Sequence, residues 1–242
     1  LNLVINILDS TYGPNSQISY SSMIYFYKEI LGKIYVNKKW GAVIKSKGKA
    51  FEKIIQNKEI NNYVNLLKDE NRILILPSKF KVSTSANISD ISVCYGINSA
   101  GVLAALSGSK SIYWDLPKAI EHPLYYLEKK DSLIFDSIDE IVQALEKFIS
   151  GDKKIGNHDD CLYLFDSFRD DQGRKRAGQI MSRLFSNFKN DLNLQENLNQ
   201  IKKEYENKWG KKFVYAFGEG DDHKGNQLWQ QVQNNVNTKL VR

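Results

Sequence analysis

The sequence predicts an α/β protein whose centre is a doubly wound, mostly parallel sheet with helices on both faces. Three observations carry this expectation. Six short apolar runs recur along residues 1–150, helical stretches with apolar residues every three to four positions separate them, and the joints are short and polar. Strands covered on both faces read as continuous apolar runs, and parallel neighbours need a helical crossover. The alternation therefore predicts a Rossmann-like domain.

The first run, Leu3 to Leu8 (LVINIL), ends in Asp9-Ser10-Thr11-Tyr12-Gly13-Pro14, which is turn chemistry. Ser19 to Leu31 places Met23, Phe26, Tyr27, Ile30 and Leu31 at helical spacing, and Trp40 to Ile44 (WGAVI) is the second strand. Phe51 to Leu67 repeats at three to four residues and predicts one helix interrupted near Asn57. Arg72 to Leu76 (RILIL) is the third strand, closed by Pro77, and Ile91 to Tyr95 (ISVCY) the fourth. A helix from about Ser99 to Leu106 leads to Ser111 to Trp114 (SIYW), and Ser132 to Phe135 (SLIF) is the sixth run. Asp136 to Glu140 offers a cap and first-turn acids to a helix that Gly151 stops near Ile149.

Beyond this, Gly151 to Asp160 is polar and turn-rich. We expect a domain over 1–150, a linker and a returning helix packed on it over 151–185, and a polar helical extension over 186–242 to which no role is assigned. Helices are expected near 173–185 and 192–208, and a strand at Phe213 to Phe217.

Composition narrows the class. With 42% hydrophobic and 26% charged residues over 242 positions, the balance is that of a globular chain and not a disordered one. No run approaches the roughly 20 apolar residues of a membrane helix, and the start lacks the basic flank of a signal peptide. Cys94 and Cys161 stand far apart without a CxxC pair, so neither a disulfide framework nor a cysteine zinc site is indicated. We expect a cytoplasmic protein, with peripheral association at the inner face of the cytoplasmic membrane as an option. Because the chain begins at Leu1 and not Met, a preceding segment is expected as well.

The net charge of +6 is spread evenly: 18 basic against 15 acidic side chains in residues 1–150, and 16 against 13 in 151–242. A nucleic-acid partner is not expected from such a distribution. One concentration stands out between Lys28 and Lys53, where eight lysines face only Glu29 and Glu52. It suits phosphates, and it equally suits a solvated face.

In an open parallel sheet, ligands bind at the carboxyl ends of the strands. The most informative such end is Gly96-Ile97-Asn98-Ser99-Ala100-Gly101, where a strand runs through a small-residue turn directly into a helix. Free backbone N–H groups there, with the Ser99 hydroxyl, suit a phosphate; an ordinary N-cap pair would look the same. Lys45 and Lys47 leave another strand end on the same rim. Asp9, Thr11 and Asp115 are rim candidates for ribose or sugar hydroxyls, although Asp at a strand end also serves as a turn residue.

These residues resemble a family. The stretch Ser89-Asp90-Ile91-Ser92-Val93 through Asn98-Ser99-Ala100-Gly101-Val102-Leu103-Ala104-Ala105-Leu106-Ser107-Gly108 to Lys110-Ser111-Ile112 is similar to the carboxy-terminal, donor-binding domain of GT-B-fold glycosyltransferases. Trp40-Gly41 leading to Lys45-Ser46-Lys47, and Phe165-Asp166-Ser167-Phe168-Arg169-Asp170 followed by Arg176, resemble bacterial enzymes of surface polysaccharide assembly. The likeness spans about Asn2 to Phe185. It implies that Asn98, Ser99, Ala100 and Gly101 bind the phosphates of a nucleotide-sugar donor while Lys45 and Lys47 neutralise them. It also implies a glycan or lipid-linked acceptor. Asp166, Phe168 and Arg169 would open a helix returning toward the other domain; an Asp to Arg pair locking a loop is the alternative.

Two departures bear on this. Related enzymes that use CMP-linked acidic sugars carry His-Pro before the serine-bearing turn, whereas here that place holds Lys45-Ser46-Lys47 and His122-Pro123 follows the turn. An amino-terminal acceptor domain, the usual home of the general base, is also missing before Leu1, so it is expected on a preceding domain or a partner chain. No cofactor or metal is expected: the three histidines are scattered, and Glu219, Asp221, Asp222 and His223 lack the spacing of a calcium loop. The leading expectation is the donor-binding half of a glycosyltransferase. A polyol-phosphate transferase or sugar-nucleotide epimerase on the same fold, and a non-catalytic nucleotide-binding or scaffold module, are the alternatives.

Overall fold

The structure is a computed structural model that describes residues 1–12, 18–120, 122–127, 130–166, 168–188 and 193–210. The expected strand at Phe213 to Phe217, the acidic group from Glu219 to His223, and Ser167 lie outside the described residues. The chain divides into two compact units, Leu1–Leu162 and Tyr163–Arg242.

The first unit holds six strands: β1 (Leu3–Leu8), β2 (Trp40–Ile44), β3 (Ile73–Ile75), β4 (Ile91–Tyr95), β5 (Lys110–Trp114) and β6 (Ile134–Phe135). They form one sheet in the order β3-β2-β1-β4-β5-β6, and every pairing is parallel. Its helices are α1 (Tyr20–Val36), α2 (Ala50–Ile54), α3 (Lys58–Asp69), α4 (Val82–Asn87), α5 (Ser99–Leu106) and α6 (Ile138–Ile149). This is a doubly wound, Rossmann-like α/β fold.

The two faces of the sheet differ in chemistry. Ile5, Ile7, Ile91, Val93, Tyr95, Ile112 and Trp114 join α1, α3 and α6 residues such as Met23, Phe26, Ile30, Val64 and Ile141 in one large apolar core. Strand residues alternate between faces. The intervening positions Asn6, Ser92 and Ser111 are therefore on the opposite side, and they stand in register across β1, β4 and β5. Asn6 Nδ2 donates to Ser92 Oγ at 2.9 Å, and Ser111 Oγ donates to the Gly101 carbonyl at 2.9 Å. Small side chains on this face let α5 lie close: a Cβ on Gly101 would sit 2.4 Å from Tyr113 Cε1 and 2.8 Å from Cys94 Sγ.

Three details depart from the sequence expectations. The run Phe51 to Leu67 is two helices, and Asn57 starts the second by accepting from the N–H groups of Glu59 and Ile60. Helix α4 occupies a stretch without helical periodicity; tertiary packing holds it, with Ser85 and Ala86 buried. Helix α1 runs past Leu31 to Val36 because the Arg72 guanidinium collects its final carbonyls. Arg72 donates to the carbonyls of Ile34, Tyr35, Asn37 and Trp40 and to Glu70, so this residue closes a helix and does not extend β3.

The second unit contains α7 (Gly173–Phe188) and α8 (Leu194–Trp209). Asn187 Nδ2 donates to Asn197 Oδ1 at 2.7 Å, Asn197 Nδ2 donates to the Leu184 carbonyl at 3.1 Å, and Arg183 pairs with Glu204. The lock in its first loop is Asp170 with Arg176, a two-pronged pair at 2.7 and 2.9 Å, with the guanidinium 3.9 Å from the Phe168 ring centre. Asp166 accepts the Arg169 backbone N–H at 3.1 Å. Among the described residues no helix is long and apolar enough to cross a membrane.

Candidate ligand site at the sheet switch point

Strand β1 leads onward to β2 on one side, while its other neighbour β4 leads to β5. The connections therefore diverge at the carboxyl ends of β1 and β4, the position where ligands bind in this fold. That position is flanked by the residues after Leu8 and the turn after Tyr95.

On the β4 side, Gly96 has φ +63°, a conformation costly for other residues, and a Cβ there would meet the Pro117 ring at 3.3 Å. Asn98 then caps α5: its Oδ1 accepts the Gly101 N–H at 3.0 Å and its Nδ2 donates to the Tyr95 carbonyl at 3.1 Å. The Asn98 side chain and the Gly101 amide are thus occupied by the turn itself. The Ser99 and Ala100 amides carry no hydrogen bond among the described residues, and Ser99 is exposed. A helix start with unused N–H groups attracts an anion.

On the β1 side, Asp9 is buried and fully engaged. Its Oδ2 accepts from Tyr27 Oη at 3.0 Å and Ser46 Oγ at 2.6 Å, and its Oδ1 accepts the Lys47 N–H at 2.8 Å. Burial lifts its pKa above the ordinary carboxylate range, against the three donors and the nearby Lys45 charge. Ser46 Oγ also accepts the Phe51 N–H at 3.0 Å. Asp9 therefore fastens the 45–47 loop to the rim, with Lys45 half-buried, Lys47 exposed and Thr11 exposed.

Asp115, at the end of β5, is buried and engaged on one side only. Its Oδ2 accepts the Ala119 N–H at 2.8 Å and the Tyr125 hydroxyl. Its Oδ1 has no partner among the described residues, and it lies 3.8 Å from the point a Cβ on Gly96 would occupy. The carboxylate thus faces the turn that leads into α5. His122 belongs to this corner: its Nδ1 accepts the Leu124 N–H at 3.2 Å, so the neutral ring carries its proton on Nε2. Burial holds its pKa below the usual histidine range, with the Asp115 charge pulling the other way.

A cavity of about 360 Å3 lies beside β6 and α6, lined by Tyr125, Phe135, Asp136, Glu140 and Lys147 among others. It is two strands away from the switch point, and its carboxylates oppose an anion. Tyr125 connects the two places through its bond to Asp115. Among the described residues no group of three or more His, Cys, Asp or Glu is disposed to hold a metal.

The structure brings Ser99, Ala100, Gly101, Asn98 and Asp115 to one corner and joins Asp9, Lys45 and Lys47 through the loop after β2. Tyr27 and Ser46, which position Asp9, and Tyr125 and His122, which flank Asp115, are not nominated as site residues by the sequence. Tyr27 reads as one more apolar position of a helix, and the 116–127 segment has no period. No family model, curated protein or solved structure matches the chain.

Proposed function

We propose that the Leu1–Leu162 unit binds the nucleotide-sugar donor of a glycosyltransferase that builds a surface polysaccharide or lipid-linked glycan. One juxtaposition carries the reading. Unused amides at the start of α5 offer donors to a diphosphate, and one turn away the unpartnered Asp115 Oδ1 offers an acceptor to a sugar or ribose hydroxyl. A ligand with both phosphates and hydroxyls satisfies both.

As the sugar departs, negative charge grows on the diphosphate. The α5 N-terminus and Lys45 or Lys47 would stabilise that charge more than the ground state, which accelerates transfer. Asp9 is too fully engaged to take an acceptor proton, so the general base would come from an acceptor-binding domain or partner chain. The resemblance of the 89–112 stretch to GT-B donor-binding domains, and of the 40–47 and 165–176 stretches to polysaccharide-assembly enzymes, supports the choice of reaction.

Calorimetric titration with UDP, GDP, CMP and CDP tests this. Ser99→Pro removes one amide at the first helical position, where proline is tolerated, and Lys45→Ala removes one charge. One nucleotide should bind, and each variant should weaken it roughly ten-fold, the worth of one charge-assisted hydrogen bond. A folded chain that binds none of the four would overturn the reading.

A further inference from the structure

Helix α7 carries Arg174, Lys175, Arg176 and Arg183 and no acidic residue. Arg176 is held by Asp170 and Arg183 by Glu204, whereas Arg174 and Lys175 are exposed and have no ion-pair partner among the described residues. Arg174, Gly178, Met181 and Phe185 recur at i, i+4, i+7 and i+11, so they form one stripe along the helix. Met181 is 51% exposed and Phe185 65%, and a Cβ at Gly178 would meet nothing within 4 Å. The hairpin with α8 closes through Asn187, the Leu184 carbonyl and Arg183, and Met181 and Phe185 stay more than half exposed.

A partner for this stripe and the adjoining Lys175 must accept apolar side chains and neutralise two cations at once. A second copy of α7 carries no acidic residue and so supplies no counter-charge to Arg174 and Lys175, whichever way it docks. A nucleic acid offers phosphates but no apolar layer for a methionine and a phenylalanine. We propose that α7 is an interfacial anchor that lies on an anionic phospholipid surface, Met181 and Phe185 at the acyl boundary and Arg174 and Lys175 among the headgroup phosphates. This rests on the second unit alone and not on the nucleotide site.

Sedimentation of the full chain with phosphatidylcholine vesicles, with and without phosphatidylglycerol, tests it. The chain should partition onto the phosphatidylglycerol vesicles and hardly at all onto the neutral ones. Met181→Ser with Phe185→Ser, and separately Arg174→Glu with Lys175→Glu, should each lower partitioning about ten-fold or more, since one basic residue contributes about five-fold. All four positions are exposed, so the helical circular dichroism signal should be unchanged in both variants. Absence of binding, binding that ignores lipid charge, or variants that bind like the parent would overturn the proposal. So would self-association, or retention on RNA, that the same substitutions abolish while vesicle binding persists.

Discussion

The Tyr27 hydroxyl donates to Asp9 Oδ2 across 3.0 Å, which ties the middle of α1 to the carboxyl end of β1. The same carboxylate holds Ser46 and the Lys47 amide, so three donors depend on one buried group. Asp9→Ala leaves all three without an acceptor in the interior. The expected loss is about 3 kcal/mol of stability in urea unfolding, accompanied by faster amide exchange in the 45–51 loop. An unchanged midpoint would contradict this role.

Gly101 permits α5 to rest on β4 and β5. Because a Cβ would fall 2.4 Å from the Tyr113 ring, Gly101→Ala must lift the helix or displace that buried ring. We expect a stability loss of roughly 1–3 kcal/mol. On the proposed reading, nucleotide affinity should fall with it, since the Ser99 and Ala100 amides move together with the helix. Thermal melting and calorimetry on the same sample separate the two effects.

Arg72→Lys tests a planar fork. The guanidinium reaches three carbonyls at the end of α1, the Trp40 carbonyl at the start of β2 and the Glu70 carboxylate, and an ammonium cannot span that set. A loss of about 2–3 kcal/mol in denaturant unfolding is expected, with exchange protection lost first at Ile34 to Asn37. Retention of full stability would mean that the carbonyls find other donors.

His158 supplies a pH dependence. Its Nδ1–H donates to the Gly156 carbonyl at 3.0 Å, which leaves Nε2 to accept from Tyr113 at 3.1 Å; burial holds its pKa below the usual histidine value. The unfolded chain therefore takes up this proton at a higher pH than the folded one. Stability from His158 is fully present above about pH 6.5 and declines as the pH falls through the lowered folded value, by up to ~1.4 kcal/mol per pH unit. His122 acts in the same direction. His158→Gln should flatten the pH profile of the urea midpoint without abolishing it.

Much of the sheet was legible in the sequence. β1, β2 and β4 coincide with the apolar runs Leu3 to Leu8, Trp40 to Ile44 and Ile91 to Tyr95, because strands buried on both faces read as near-continuous apolar runs, here broken only by Asn6 and Ser92. β3 and β6 pair on one side only and are shorter than their runs. α5 was legible from Asn98 to Leu106 through its cap and small residues, whereas α4 was not, because only its packing makes it a helix. At the rim, sequence could nominate Asp9 and Asp115 alike. Only their neighbours distinguish them: three donors saturate the first, and the second keeps an oxygen without a partner.

The pairing of β1 with β4 joins residues 86 positions apart, as Asn6 with Ser92 illustrates, while β1–β2, β2–β3, β4–β5 and β5–β6 are closed by nearer segments. Loop closure over so long a span is slow relative to the local crossovers. The two three-stranded halves therefore have a kinetic head start over the seam between them. The switch point lies on that seam, so we expect it to form late in folding, and a ligand held there would act as a clasp on the two halves, slowing their separation more than it speeds their assembly.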